Sequence, residues 1–527
     1  MVKLHVFFHG GLWKACTRGT MNTRLVASVM FGALGLIGAA VAMPASAAQT
    51  TRSVAVGSTR SAQSPISKPR VIITNDGEVD DMNSFIRYLY YSNEFDTEAI
   101  VLTSSEFHWA GNGADVAPFR WTGTQWINAY IDAYAEIYHN LAAQDDGYPT
   151  PEYLHSIYKI GNITNVGEMD QVTPGSEIIK ERILDPNPQP LYVLAWGGTN
   201  TLARALKSIQ EQYAGTPGWP SLQKTISDKV IVYNILTQDN TLANYIKPNW
   251  PDLKIINNQQ AFWGFAYAWQ FVVPSALQTT LKGNWLSTNI VNGHGPLAYQ
   301  YRTMRDGKPT PGDDQNNRWD PNQNLNFGVN DFLSEGDTPS FLYLLDFNGL
   351  RSSENPTWGG WGGRFAPTSY GWLDTQDSDP FVSACGGFFV DPCKSYAQLR
   401  WINEFQNDFA ARISWGDTSS YTDANHNPNV TVRQGLNITR NAGAAVPLNI
   451  AVSDPDGNAV SLDVWQYKDA GTYPGSVGIT QAGNNGAYLI HIPADAVSGQ
   501  TIHVIAQATD NGSPPLTRYA RVVITVN

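Results

Sequence analysis

Short runs of consecutive apolar residues alternate with stretches of helical periodicity over residues 69–415, and the two periods together predict layered α/β structure. VIIT (71–74) predicts a strand buried on both faces, and DMNSFIRYLYYS after it predicts a helix. TEAIVLTSS, PLYVLAWGG (190–198) and KVIVYNIL (229–236) predict further strands, with TLARALKSIQEQY as an intervening helix and RWINEFQNDFAARISW (400–415) as the last one. Strands that alternate with helices of ten or more residues form parallel βαβ units, so the expected fold is a doubly wound, mainly parallel sheet. Ligands of such sheets gather at the carboxyl ends of the strands.

The pattern changes near residue 420. Over 425–527 the period becomes two, in VPLNIAVSDPDGNAVSLDVWQY, AYLIHIPA and TIHVIAQATDNGSPPLTRYARVVITV, with DPDGN and DNGSPP as turns. This predicts an all-β sandwich of immunoglobulin-like type. It holds one Trp, Trp465, where residues 69–415 hold fifteen, so the chemistry is expected in the first block. Asp454, Asp456 and Asp510 sit in its turns, where they are either calcium ligands or ordinary turn residues.

Ahead of both blocks, MNTRLVASVMFGALGLIGAAVAMPASAAQ has a charged start at Arg24, an apolar stretch from Leu25 to Ala42 and small residues before Ala47. Residues 21–47 are therefore expected to be a secretory signal peptide. The apolar run also has the length of a membrane anchor, against which stand the cleavage motif and the absence of flanking basic residues. Residues 1–20 precede a second methionine and look like no signal-peptide start, so translation is expected to begin at Met21. Residues 48–68, rich in Ser, Thr, Ala and Gln, read as a disordered linker.

Export brings an oxidising compartment, and two cysteines, Cys385 and Cys393, remain after Cys16 is lost. A disulfide between them is expected, closing a short loop for about 2.5 kcal/mol on the chain-entropy model. They cannot form a zinc site, since no histidine lies between His294 and His426.

The 527 residues carry a net charge of −12; without the first 47 residues, 30 basic stand against 46 acidic. That balance disfavours nucleic acid, which needs a cationic face. The 17 Trp and 24 Tyr offer flat faces to sugars, or fill an aromatic-rich core. After signal cleavage no membrane partner is expected, and the residues carry no signal for an oligomeric state.

The densest chemical signal follows the first strand: Thr74-Asn75-Asp76-Gly77-Glu78-Val79-Asp80-Asp81. Four carboxylates within six residues repel one another unless a cation sits among them, and hard oxygen ligands select calcium or magnesium. Capping of the following helix would use one or two acids, not four.

This segment resembles the D-x-D-x-G-x-D-D motif of the nucleoside hydrolases. Asp76, Asp80 and Asp81 fall on its second, third and fourth aspartates, with Thr74 at the first and Glu78 at the glycine. Trp196-Gly197-Gly198-Thr199-Asn200 is similar to that family's G-P-L-T-N loop, and Glu335-Gly336-Asp337-Thr338-Pro339 to its H-D-P segment. The resemblance implies a calcium site made of Asp76, Asp81, Asp337 and the Thr199 carbonyl, with Asp80 as general base for water attacking an anomeric carbon. More closely, GDTPSFLYLL, HGPLAY, WGGWGGR and NDFAARISW resemble a secreted nucleoside-hydrolase-like family called cellulose-binding protein, which adds a C-terminal sandwich.

Two departures redirect the substrate. Gly336 stands where related enzymes often carry a histidine that acts on the leaving group, and Gln259-Gln260-Ala261-Phe262-Trp263-Gly264 lacks the ribose-binding Asn and Glu cluster. A larger sugar fits better than a nucleoside. Candidate sugar contacts or acids are Glu106 and His108 after the second strand, Asn200, Gln238 and Asp239 after KVIVYNIL, His294 in a Gly-His-Gly-Pro loop, and Trp361, beside Trp358, between glycines. Each also has an ordinary reading as a turn, surface or packing residue. Two functions fit: a secreted calcium-dependent glycosyl hydrolase acting on an N- or O-glycosidic bond of a carbohydrate, or a carbohydrate-binding protein, of cellulose or another polysaccharide, that keeps the fold without turnover.

Overall fold

The computed structural model describes residues 68–308, 327–387, 390–483 and 486–527. The segments read as an N-terminal extension, a signal peptide and all but the last residue of the linker lie outside the described residues. Among the described residues no helix is long and apolar enough to cross a membrane.

The first part is an eight-stranded sheet with helices packed against it. Its strands are β1 (Arg70–Asn75), β2 (Asp96–Leu102), β3 (Tyr158–Ile160), β4 (Leu191–Ala195), β5 (Val230–Ile235), β6 (Lys254–Asn258), β7 (Phe365–Thr368) and β8 (Gly371–Asp374). Their order is β3-β2-β1-β4-β5-β6-β8-β7, parallel throughout except for the β7–β8 pair. From β1 the chain steps outward to β2 and β3, then returns to β4 on the other side and continues to β6. The order therefore reverses between β1 and β4, and a crevice opens beyond their carboxyl ends. Thr74 of β1 stands in register with Ala195 of β4, which sets the acidic segment beside the Trp196–Asn200 turn.

Every residue of β1 is buried, as its unbroken apolar run requires of a central parallel strand. The helix Val79–Tyr91 is likewise buried along its whole length. It packs against the helices Trp126–Gln144, Thr338–Leu342 and Ile402–Trp415, and three ionisable residues, Asp80, Asp81 and Arg87, lie inside. The strands expected from the apolar runs are present; β3, β6 and the β7–β8 hairpin are short, and their sequences lack a comparable run.

The second part has two four-stranded sheets. They comprise β9 (Asn429–Val432), β10 (Asn437–Arg440), β11 (Ala445–Ser453), β12 (Val460–Gln466), β13 (Gly478–Gln481), β14 (Ala487–His491), β15 (Thr501–Asp510) and β16 (Thr517–Val526). The orders are β10-β16-β15-β12 and β13-β14-β11-β9, antiparallel apart from β10 against β16. Alternate residues such as Val446, Leu448 and Ile450 of β11 and Val504 and Ala506 of β15 meet in a core of their own. The turn aspartates serve the turns: Asp454 accepts the Asp456 and Asn458 N–H groups, and Asp510 those of Gly512 and Leu516.

A polar and aromatic seam joins the two parts. Arg518 pairs with Asp408 at 2.8 Å, the Tyr467 hydroxyl donates to Asp377 at 2.6 Å, and Arg521 donates to the Trp358 and Gly359 carbonyls at 2.7 Å. Trp361 belongs here. It is fully buried and packs against Phe405 and Tyr519, so it cannot serve as the sugar platform expected of it; Trp358 is likewise taken up by Arg351, Arg521 and His503. The glycines around them allow tight turns and close packing. A Cβ on Gly362 would lie 2.5 Å from the Pro339 carbonyl.

Candidate metal centre and cleft

Strand β1 delivers Asp76 to the edge of the crevice, and the chain then turns at Gly77, whose φ of +79° is costly for any side chain. A Cβ there would also lie 2.5 Å from Thr122 Oγ1. The turn lets the helix Val79–Tyr91 begin at once, so Asp80 and Asp81 occupy its first turn. Its N-cap residue, Glu78, makes no side-chain capping bond. Asp81 Oδ1 instead accepts the Asp76 N–H at 3.1 Å, folding the acidic segment back on itself.

Asp337 arrives from a distant segment that two buried anchors hold in place. Glu335 pairs with Arg87, and the Asn83 amide donates to the Ser334 carbonyl at 3.0 Å. One oxygen from each of Asp80, Asp81 and Asp337 then lies within 4.8 Å of the others, with Asp76 buried beside them. Gly336 makes the approach possible: a Cβ on it would sit 2.6 Å from Asp80 Oδ2.

Burial first, and the neighbouring carboxylates after it, push Asp80, Asp81 and Asp337 well above the usual carboxyl range. Oδ2 of Asp76 and Oδ2 of Asp337 are buried without a hydrogen-bond partner. Orphaned, like-charged, all-oxygen donors fit a hard divalent cation better than any arrangement of protons.

The cluster forms one wall of a cavity of about 80 Å³, shared with Trp196, Gln238, Phe262, Trp263 and Tyr267. The Tyr267 hydroxyl reaches Glu78 Oε1 at 3.1 Å and Asp80 Oδ1 at 3.3 Å. Arg120, held at φ +47°, places Nη2 3.3 Å from Glu78 Oε1. Glu78, which replaces the motif glycine, thus connects the cluster to both.

The other candidates divide. Gln238 lines the cavity, although its amide donates to the Trp196 and Ile235 carbonyls. His108 lies by the cluster, Nδ1 3.8 Å from Asp76 Oδ2, but is fully buried behind the wall and not open to a sugar. The Thr199 carbonyl accepts the Ala203 N–H at 2.8 Å, and its hydroxyl donates to Asp239 at 3.2 Å and pairs with Thr241.

Four sugar-contact expectations need correction. Asn200 is buried, its amide donating to Ser104 Oγ and the Asn162 and Glu168 carbonyls. Asp239 accepts from Thr199, Asn200 and Thr241, fixing the β4 and β5 turns together. Glu106 is exposed outside the cavity, and its neighbour Phe107 lines it instead. His294 is held by Asp417 at 2.6 Å and by the Thr288 carbonyl, apart from the cavity lining. Asn200, Asp239 and His294 each satisfy backbone or side-chain partners of their own. Tyr267 and Arg120 were not anticipated; the aromatic density of AFWGFAYAWQF (261–271) was the available signal for the first, and the second had none.

Sheet order, the reversal at β1 and β4 and the acidic cluster define a nucleoside-hydrolase-like domain followed by an all-β domain. Residues 70–365 match the family described as cellulose-binding Sde182, nucleoside hydrolase-like domain, and residues 445–526 match the cellulose-binding protein Sde0182 C-terminal domain. The chain belongs to this family. Among solved structures it is similar to a nucleoside hydrolase-related hypothetical protein from Saccharophagus degradans, described as associated with carbohydrate metabolism, at 28% identity and a TM-score of 0.64, over 87% of this chain and 100% of that one. A plant nucleoside hydrolase, PpNRh1, aligns at 10% identity and a TM-score of 0.27, over 60% and 91% of the two chains. An inosine-guanosine nucleoside hydrolase aligns at 10% and 0.26, over 54% and 80%. No curated protein matches the chain.

Proposed function

We propose that this protein is a secreted, calcium-dependent glycosyl hydrolase acting on a carbohydrate. The observation that carries the reading is the convergence of Asp80, Asp81 and Asp337, with Asp76 beside them, from two distant segments onto one buried point. Asp76, Asp81 and Asp337 would hold the cation, and the Thr199 carbonyl, whose second lone pair the Ala203 N–H leaves free, would be the backbone ligand the resembled motif implies. A bound calcium ion supplies charge that favours the ionised carboxylates and lowers the pKa of a coordinated water. Asp80 accepts the proton of the attacking water as the glycosidic bond opens through an oxocarbenium-like state. Tyr267, bonded to Asp80 and Glu78, orients the base.

Gly336 supports a second reading, a carbohydrate-binding protein without turnover, because it offers no group to the leaving atom; the family's cellulose-binding description is consistent with it. Hydrolysis of polysaccharide fragments by the wild-type protein and by Asp80→Asn, with and without chelator, separates the two. The hydrolase reading requires that the substitution abolish rate with little change in sugar affinity, and that EDTA do the same. Equal behaviour of both proteins, with no chelator effect after metal loss is verified, would overturn it.

A further inference from the structure

Beside the acidic cavity runs a groove of about 390 Å³ lined by Trp263, Tyr267, Ala268, Phe271, Val272, Val390 and Pro392. Trp263 and Tyr267 line both spaces, so the groove continues the cavity and is no isolated surface feature. Phe271, on the short helix Trp269–Val272, is 69% exposed, whereas Trp269 and Val272 of the same helix are buried. The opposite wall carries Val390, in the loop closed by the Cys385–Cys393 bridge, and Pro392, which starts the helix Pro392–Leu399. That helix packs on the segment Ala261–Phe265, with a Cβ on Gly264 placed 2.4 Å from Leu399 Cδ1, so Pro392 and Trp263 stand on elements packed against one another.

We infer that this groove is a sugar subsite, holding a pyranose ring adjacent to the linkage that enters the acidic cavity, so that the ligand is an oligosaccharide or polysaccharide. The inference rests on the carbohydrate reading above and deepens it. Three features select a sugar. The cavity is the smaller of the two spaces, about 80 Å³ against about 390 Å³, so the groove offers a ligand more room for contact. The exposed ring of Phe271 and the half-buried Trp263 beside a polar centre match a pyranose, which has apolar C–H faces and a rim of hydroxyls. The shared wall offers that rim the oxygen of the Tyr267 hydroxyl, whose proton is directed to Glu78 and Asp80.

The test is calorimetric titration of Asp80→Asn, which prevents turnover, with gluco-oligosaccharides of one to four β-linked units, in that background alone and with Phe271→Ala or Phe271→Tyr added. Phe271 is exposed, so neither change threatens folding, which thermal unfolding verifies. The subsite requires affinity to rise at least tenfold from one unit to three, Phe271→Ala to remove that rise, and Phe271→Tyr to restore it. Affinity independent of length, or a rise untouched by Phe271→Ala, overturns it, as does a matching loss of self-association in place of sugar binding. A length-dependent affinity in a wild-type protein that hydrolyses nothing would retain the subsite and reject the hydrolase. Hydrolysis with flat length dependence would do the reverse.

Discussion

The guanidinium of Arg87 grips the carboxylate of Glu335 through two bonds, Nε to Oε2 at 2.5 Å and Nη2 to Oε1 at 2.8 Å, with both side chains fully buried. Arg87 lies about two helical turns beyond Asp80 and Asp81, and Glu335 lies two residues before Asp337, so the pair sets the distance between the two halves of the acidic cluster. Arg87 also donates to Gln406 and stacks on Phe409, and Glu335 accepts from Thr338 and Tyr301.

Removing one partner leaves the other charge buried and uncompensated. Glu335→Ala is expected to destabilise the protein by about 3–5 kcal/mol, and denaturant unfolding measures it. The same variant should lose most of its calcium affinity, because Asp337 loses its anchor. Unchanged affinity would show that Asp337 is placed by something else.

Gly336 lies in the segment that resembles the nucleoside-hydrolase H-D-P motif, and Asp80 fills the space a side chain there would need. Gly336→Ala is expected to cost about 1–3 kcal/mol through overpacking, and to weaken metal binding by moving the Asp80 carboxylate. Gly336→His should therefore impair the centre. A gain in hydrolysis from that substitution would contradict the packing argument.

Asp80, Asp81 and Asp337 have folded-state pKa values raised by burial and mutual repulsion, so the metal-free folded protein binds more protons than the unfolded chain. Their stabilising contribution is present below the ordinary carboxyl pKa and is lost as pH rises toward the raised values. The melting temperature of the metal-free protein should accordingly fall between pH 5 and 8. Calcium should restore it, by about 2.7 kcal/mol at one hundred times its dissociation constant, and more strongly at the higher pH. A melting temperature indifferent to calcium at pH 8 would refute the site.

At the seam the opposite sign applies. His503 is buried against Arg521 Nη1, 3.2 Å from its Nδ1, and burial followed by the Arg521 and Arg351 charges pushes it down to about 3. The folded protein holds it neutral while the unfolded chain protonates it near pH 6.5. Stability from this group is full above pH 6.5 and is lost toward pH 3, at up to about 1.4 kcal/mol per pH unit. His503→Asn should flatten that part of the acid-unfolding curve. An unchanged slope would place the acid sensitivity elsewhere.

The central strands, the helices beside them, the all-β block and the Cys385–Cys393 bridge, formed with its Cα atoms 5.4 Å apart, were legible in the residues. Apolar runs and alternation report local burial, and local burial decides strand from helix. Asp76, Asp80 and Asp81 were legible as a cluster because adjacency in the chain enforces their proximity. Asp337 was joined to them only through the likeness of its segment to the H-D-P motif, and tertiary structure supplied the contacts that place it. It set Asp337 against Asp80 through the Arg87–Glu335 pair, buried Trp361 at the seam and left Phe271 exposed beside the cavity. All three are aromatic or charged residues in Gly- or aromatic-rich segments, where composition is the same whether the side chain faces core or solvent. The choice between those faces depends on packing against segments a hundred or more residues away, and no local pattern encodes it.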